Sequence, residues 1–306
     1  MESPPGLAPR RTQSYEPRVQ RFNAYLRHLR LPFQLTLAPI FLWGALLSGG
    51  RWDAETTSAF LSLHLFLYPA ATAFNSAFDK DKGPVAGLEV PPPVPHGLAA
   101  FGLAWALVGA VAALPAGTAF AAAFGGAAFW CFAYSHPSTR WKANPWTSGA
   151  AIALGQGALG FLAGWLAMEA STGGTAAFSA GAAGAALTAL GLYPATQVFQ
   201  LEEDWERGDR TIALALGPAH ALRFGAFCLV LAGVVTAWLV ARSYGPPDAF
   251  LVMLGYGALA VALVRLSLRP PPEPWQTDLY RPAMAITRWA TAGFLLFLGL
   301  EAVGSG

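Results

Sequence analysis

The sequence predicts an all-α, polytopic membrane protein with about nine transmembrane helices in two pseudo-repeated halves. Three observations predict it. Of the 306 residues, 55% are hydrophobic and 12% are charged, against a charged share of about 25% in soluble domains. Nine stretches each approach the roughly 20 mostly apolar residues that a spanning helix needs, near 32–50, 56–77, 97–115, 117–135, 148–168, 174–197, 218–241, 247–267 and 286–304. Residues 68–83, YPAATAFNSAFDKDKG, then recur as residues 193–208, YPATQVFQLEEDWERG, with Tyr, Pro, Ala, Phe, Asp and Gly in matched places.

Taken in order, residues 1–30 form a cytoplasmic amino-terminal segment. They carry Arg10, Arg11, Arg18, Arg21, Arg27 and Arg30 and no apolar core of the length a secretory signal needs. Within them Val19, Phe22, Leu26 and Leu29 fall at helical spacing between arginines, which predicts an interfacial helix on an anionic membrane surface. Residues 31–306 read as one transmembrane domain. With the arginine-rich end inside, the connections 78–96, 136–147, 198–217 and 268–285 are inside too, and of the 19 Lys and Arg residues only Arg51 and Arg242 fall outside. This positive-inside asymmetry predicts an integral protein of a bacterial inner membrane, with its amino terminus cytoplasmic.

Several features read as structural. Gly160 with Gly164, and Gly181 with Ala185, are small residues that let helices approach closely. Trp43, Trp52, Trp130, Trp141, Trp146 and Trp238 fall mostly near span ends, as an interfacial belt requires. Pro91–Pro93 and Pro270–Pro272 mark connections that are not helical throughout. Cys131 and Cys228 lie in apolar stretches and read as buried free thiols. A net charge of +2, spread between apolar spans, excludes the dense basic footprint of a nucleic-acid partner.

The chemistry concentrates in the repeat. Both copies run down a span, the second and the sixth, and end on the same face, so the two can meet. Asn75 stands four residues before Asp79, and Gln200 four before Asp204; on a helix each pair is stacked about 5–6 Å apart. Oxygen ligands without His or Cys select a hard cation, for which magnesium is the expectation. The ligand candidates rank Asn75, Asp79 and Asp204 first, then Gln200, Glu203 and Asp81. The helix dipole disfavours acids at two helix carboxyl ends, so cations should compensate. Arg140, Lys142 and Arg210 could clamp an anion such as a diphosphate at this mouth, or serve only as inside-facing topology residues. Lys80, Lys82, Arg207 and Arg210 could equally form a plain solvated rim.

These residues resemble the UbiA superfamily of intramembrane prenyltransferases, whose members carry an NDxxDxxxD-type motif after the second span and a DxxxD motif with a GxR/K-S/T element after the sixth. Here Asn75-Ser-Ala-Phe-Asp79 and Gln200-x-x-x-Asp204, followed by Gly208-Asp209-Arg210-Thr211, carry the likeness. The chain departs from the pattern at Ser76, Gly83 and Gln200, and Asp81 and Glu203 are the candidates to supply the missing oxygens. The resemblance implies a central cavity open to lipid, with Mg2+ holding the head of a polyprenyl diphosphate donor. Asp79 and Asp204 would be the catalytic aspartates. The implied reaction is magnesium-dependent transfer of the prenyl group to a small aromatic, lipophilic acceptor. Two alternatives stand beside it: a cyclase of the same superfamily, and a non-catalytic isoprenoid-binding membrane protein.

Overall fold

In a bilayer each backbone N–H and C=O must be satisfied inside its own segment, so long apolar runs become helices. The computed structural model describes residues 18–168, 173–269 and 279–304 and is all α. Among these residues, eight helical runs are long and apolar enough to cross a membrane: Phe22–Ser48, Ala54–Asp79, Leu98–Ser135, Pro145–Leu166, Thr175–Gln197, Pro218–Ser243, Pro246–Ser267 and Tyr280–Glu301.

The first run is built from α1 (Arg18–His28), α2 (Leu31–Gln34) and α3 (Ala38–Ser48). Arg30, in the left-handed region at φ 48°, turns the chain between α1 and α2. On α1, Phe22 is exposed, whereas Leu29 just beyond it is fully buried in a cluster with Ala73 and Leu98. The side chains of Arg18, Val19 and Arg21, like residues 1–17 and Pro270–Pro272, lie outside the described residues.

The second run joins α4 (Ala54–Leu61), a π-helical turn (Ser62–Leu67) and α5 (Tyr68–Asp79). Pro69 has no N–H to donate and its ring crowds the carbonyl four residues back; the wider π turn directly before it makes the room. The run Leu98–Ser135 holds two of the expected spans, α6 (Leu98–Ala113) and α7 (Gly117–Ser135). Between them Gly117, at φ 88° and ψ 170°, reverses the chain. A Cβ on Gly109 of α6 would lie 3.3 Å from the Phe124 ring of α7, so the two helices pack on each other.

The remaining elements are α8 (Pro145–Ala150), a π-helical segment (Ala151–Ala158), α9 (Leu159–Leu166), α10 (Thr175–Gln197), α11 (Leu201–Glu206), α12 (Ile212–Leu216), α13 (Pro218–Ser243), α14 (Pro246–Ser267) and α15 (Tyr280–Gly304). Close approach is sharpest between α3 and α9, where a Cβ on Gly164 would stand 1.9 Å from the Phe41 carbonyl and one on Gly44 2.1 Å from that of Phe161. Only glycine fits there, because backbone meets backbone. The tryptophan belt is partial: Trp52, Trp146 and Trp238 are exposed, but Trp43 is buried against Phe294 and Phe297, and Trp130 packs on Trp141. Aromatic bulk at those two positions fills protein space instead of the interface.

Candidate active site

A cavity of about 840 Å³ runs between α3, α5, α7, α10, α14 and α15. Most of its wall is apolar, with Ile40, Trp43, Leu259, Ala262, Phe294 and Phe297 among the lining residues, while Asn75, Asp79, Lys142, Gln200, Asp204 and Arg207 line its polar part.

The first polar wall is the end of α5. Lys80 takes a left-handed conformation, φ 53°, and its N–H closes the last turn on the Ser76 carbonyl at 3.1 Å. The helix therefore stops at Asp79, with Asn75 one turn behind it. Asn75 Nδ2 donates to Asp79 Oδ2 at 2.8 Å, and Ser135 Oγ, at the end of α7, donates to Asn75 Oδ1 at 2.7 Å. That second bond fixes which way the amide points. Lys142, in the 3-10 turn after α7, is buried and ion-pairs with Asp79.

The second wall is built differently from the sequence expectation. The sixth span does not carry the acidic cluster to its own end: α10 stops at Gln197, Val198 and Phe199 turn inward as buried residues, and Gln200 directly precedes a new short helix, α11. Glu202, Glu203 and Asp204 thus occupy the first turn of α11, where a helix dipole favours acids, and not a carboxyl end where it opposes them. Gln200 and Asp204 remain one turn apart, joined by Asp204 N–H on the Gln200 carbonyl at 2.9 Å.

Arg207 joins the two walls. Its Nη1 lies 2.5 Å from Asp81 Oδ1, its Nη2 2.5 Å from Asp204 Oδ1 and its Nε 3.2 Å from Asp209 Oδ2, with Glu203 Oε2 at 3.9 Å. The solvated-rim expectation is therefore corrected for Arg207: its guanidinium is the hub of the cluster and lines the cavity. Sequence reasoning also passed over Asp209, which is buried and ion-pairs with Arg140 at 2.8 Å. The signal available was Gly208, whose left-handed φ of 74° turns Asp209 back beneath Asp204.

The other expected site residues are dispersed. Glu203 Oε1 accepts the backbone N–H groups of Lys82 at 2.9 Å and Gly83 at 2.7 Å, so it anchors the connection after α5. A Cβ at position 83 would come within 3.3 Å of that oxygen, so a larger residue there would press on it. Asp81 and Glu203 do not line the cavity, and Arg140 stands behind Asp209. Arg210 is exposed; its backbone N–H bonds the Ala143 carbonyl at 2.9 Å and ties the second loop to the turn holding Lys142.

Burial competes with pairing throughout. Burial pushes the Asp204 carboxyl up to about 6 even though Arg207 pulls the other way. It likewise raises Asp81 against the pull of Arg207. Lys142 is brought down to about 8 by burial, with Asp209 opposing. Burial alone would lower Arg207, but Asp81 and Asp204 hold its guanidinium firmly charged.

Among the described residues no three His, Cys, Asp or Glu side chains converge as a ready metal cage. Magnesium does not require one, since it commonly sits on one or two carboxylates and completes its octahedron with water and substrate phosphate. The all-oxygen donor set of Asp79, Asn75, Asp204 and Gln200 on the cavity wall fits such an ion.

Residues 37–287 match the model of the UbiA prenyltransferase family. Among solved structures, the chain is similar to a UbiA homolog from Archaeoglobus fulgidus bound to GPP and Mg2+, at TM-score 0.64 and 18% identity, over 90% of this chain and 99% of that one. The same homolog bound to DMAPP and Mg2+ gives a TM-score of 0.62, also at 18% identity and over 90% and 99% of the two chains. An apo UbiA homolog from Aeropyrum pernix K1 gives 0.59 at 15% identity, over 87% and 98%. At these identities the likeness establishes the fold. No curated protein matches the sequence.

Proposed function

The chain belongs to the UbiA prenyltransferase family, and from that premise we propose that it transfers a prenyl group from a polyprenyl diphosphate to a small aromatic, lipophilic acceptor, with magnesium. The observation that carries this reading is the cavity itself: an apolar wall whose chemistry suits an isoprenoid tail, and a polar part whose lining includes Asp79 and Asp204, one from each copy of the sequence motif. Asp79 with Asn75, and on the second wall Asp204 with Gln200, are the oxygens from which magnesium ligands would be drawn; when bound, the ion neutralises charge developing on the leaving diphosphate.

The chain's own residues do the rest. Lys142 and Arg207, both on the cavity wall, would take up diphosphate oxygens as the allylic C–O bond breaks and its electron pair leaves with the phosphate. Burial keeps water away from the carbocation that remains. The acceptor's ring carbon then bonds to the cation, and the ring proton passes to an oxygen of the released diphosphate. Lys142 can move from Asp79 to phosphate because its ammonium is a point charge on a flexible stem.

The finer architecture belongs to the same reading. Counting α6 and α7 separately, we place nine crossings around a central cavity, in two pseudo-repeated halves. The amino terminus and the cavity mouth face the cytoplasm of a bacterial inner membrane, and membrane lipid supplies the route for both lipophilic substrates.

The test offers the purified chain labelled geranylgeranyl and longer diphosphates, magnesium and a panel of phenolic acceptors. Expected are prenylated product, its loss on chelation, and a fall of about 100-fold or more, the scale of removing a charge-stabilising group, in both Asp79→Asn and Asp204→Asn. Product undiminished in both variants would sink the assignment of the site. Cyclised hydrocarbon without acceptor would favour the cyclase, and tight binding without diphosphate release the binding protein.

A further inference from the structure

Building on the proposed prenyl transfer, we propose that Arg207 is a built-in cation that takes the place of a divalent ion on the Asp204 wall, so that the site binds a single magnesium, on the Asp79 wall. Carboxylates from both copies of the repeat converge on one guanidinium: Asp81 and Asp204 at 2.5 Å, Asp209 at 3.2 Å and Glu203 at 3.9 Å. A planar, permanently charged guanidinium suits such a fork, since it presents its donors in a fixed plane. Asp204 Oδ1 is bonded to it directly, and a divalent ion on the same carboxylate would stand beside a like charge.

The two walls differ in how movable their cations are. Lys142 makes one close contact, to Asp79, and a second at 4.0 Å to Asp209. Arg207 is held by all three of its nitrogens. The Asp79 carboxylate can therefore be freed when Lys142 turns to a phosphate, whereas Asp204 stays paired.

Side-chain chemistry and charge agree. The second wall offers an amide at Gln200, and Glu203 spends one oxygen on the backbone of Lys82 and Gly83 and does not line the cavity. The ion-paired network comprises the carboxylates of Asp79, Asp81, Glu203, Asp204 and Asp209 against Arg140, Lys142 and Arg207. With all of them ionised the network carries two excess negative charges, of which the buried Arg30 guanidinium on the cavity wall, attracted to Asp81, offsets one.

The test is a Mn2+ titration read by electron paramagnetic resonance, on the purified chain in detergent with saturating geranyl S-thiolodiphosphate, a donor analogue that resists cleavage. Mn2+ takes the same oxygen ligands as magnesium. Expected are about one bound ion per chain in the wild type and in Arg207→Lys, and about two in Arg207→Gln. Two ions in the wild type, or one in Arg207→Gln, overturns the inference. If Arg207→Gln does not fold, Asp204→Asn decides: it keeps the ion if the inference holds, and loss of the ion overturns it. Analogue binding is followed separately by displacement of labelled donor. A chain that binds the analogue with two ions loses this inference alone; one that binds no analogue at any metal concentration loses the prenyl-transfer reading as well.

Discussion

Asp204 shows how far a single residue could be read. Its place in the repeat marked it as a site residue, and the structure puts it on the cavity wall, buried to 6% exposure. Its cation could not be read, because Arg207 three residues on looks like a rim charge until the chain folds α11 back over the end of α5. The raised pKa gives a signed expectation. A carboxyl at about 6 in the folded chain, against an ordinary value of 3.8, contributes stability that is fully present below that ordinary value and lost as pH rises through about 6. Between about pH 4 and 7 the wild type should therefore lose on the order of 2 kcal/mol that Asp204→Asn does not lose, while the variant loses turnover. Thermal melts of both across that range check this; parallel curves would mean that Asp204 is not the titrating group.

At the scale of elements, the helices were legible and their interruptions were not. Apolar runs announce spans because the bilayer demands internal hydrogen bonding. The break after Gln197 had no such signal: Pro194 sits inside α10 without ending it, and the chain turns where Val198 and Phe199 find buried positions. The glycine contact between α3 and α9 was expected only in outline, from Gly160 and Gly164; the partner on α3 is Gly44. Gly164→Ala should cost about 1–3 kcal/mol or more, because its Cβ meets the Phe41 carbonyl and not a side chain that can rotate away. Gly293→Ala, where a Cβ meets nothing within 4 Å, is the control. Detergent melting temperatures compare the two, and equal values would remove the close contact as a determinant of packing.

For the whole molecule, the proposed nine crossings put the loop at Gly50 and the loop at Lys82 on opposite sides of the membrane. In a variant with Cys131 and Cys228 replaced by Ser, Gly50→Cys should react with an impermeant maleimide from outside whole cells, and Lys82→Cys only after lysis. Labelling of both from the same side would overturn the topology and with it the cytoplasmic siting of the cavity mouth. The asymmetry that predicts this, with only Arg51 and Arg242 of the Lys and Arg residues outside, was read without any structure.

The sequence by itself determined that this chain is helical and membrane-embedded, and that Asn75, Asp79, Gln200 and Asp204 are candidates for one site. Periodicity, charge placement and an internal repeat are local or additive properties, and they survive in one dimension. Only the tertiary structure decided which cation faces which acid. Lys142 meets Asp79 across 63 residues, and Arg207 meets Asp81 across 126. Pairings at that separation depend on where α5 stops and α11 begins, and those ends are set by packing between distant segments.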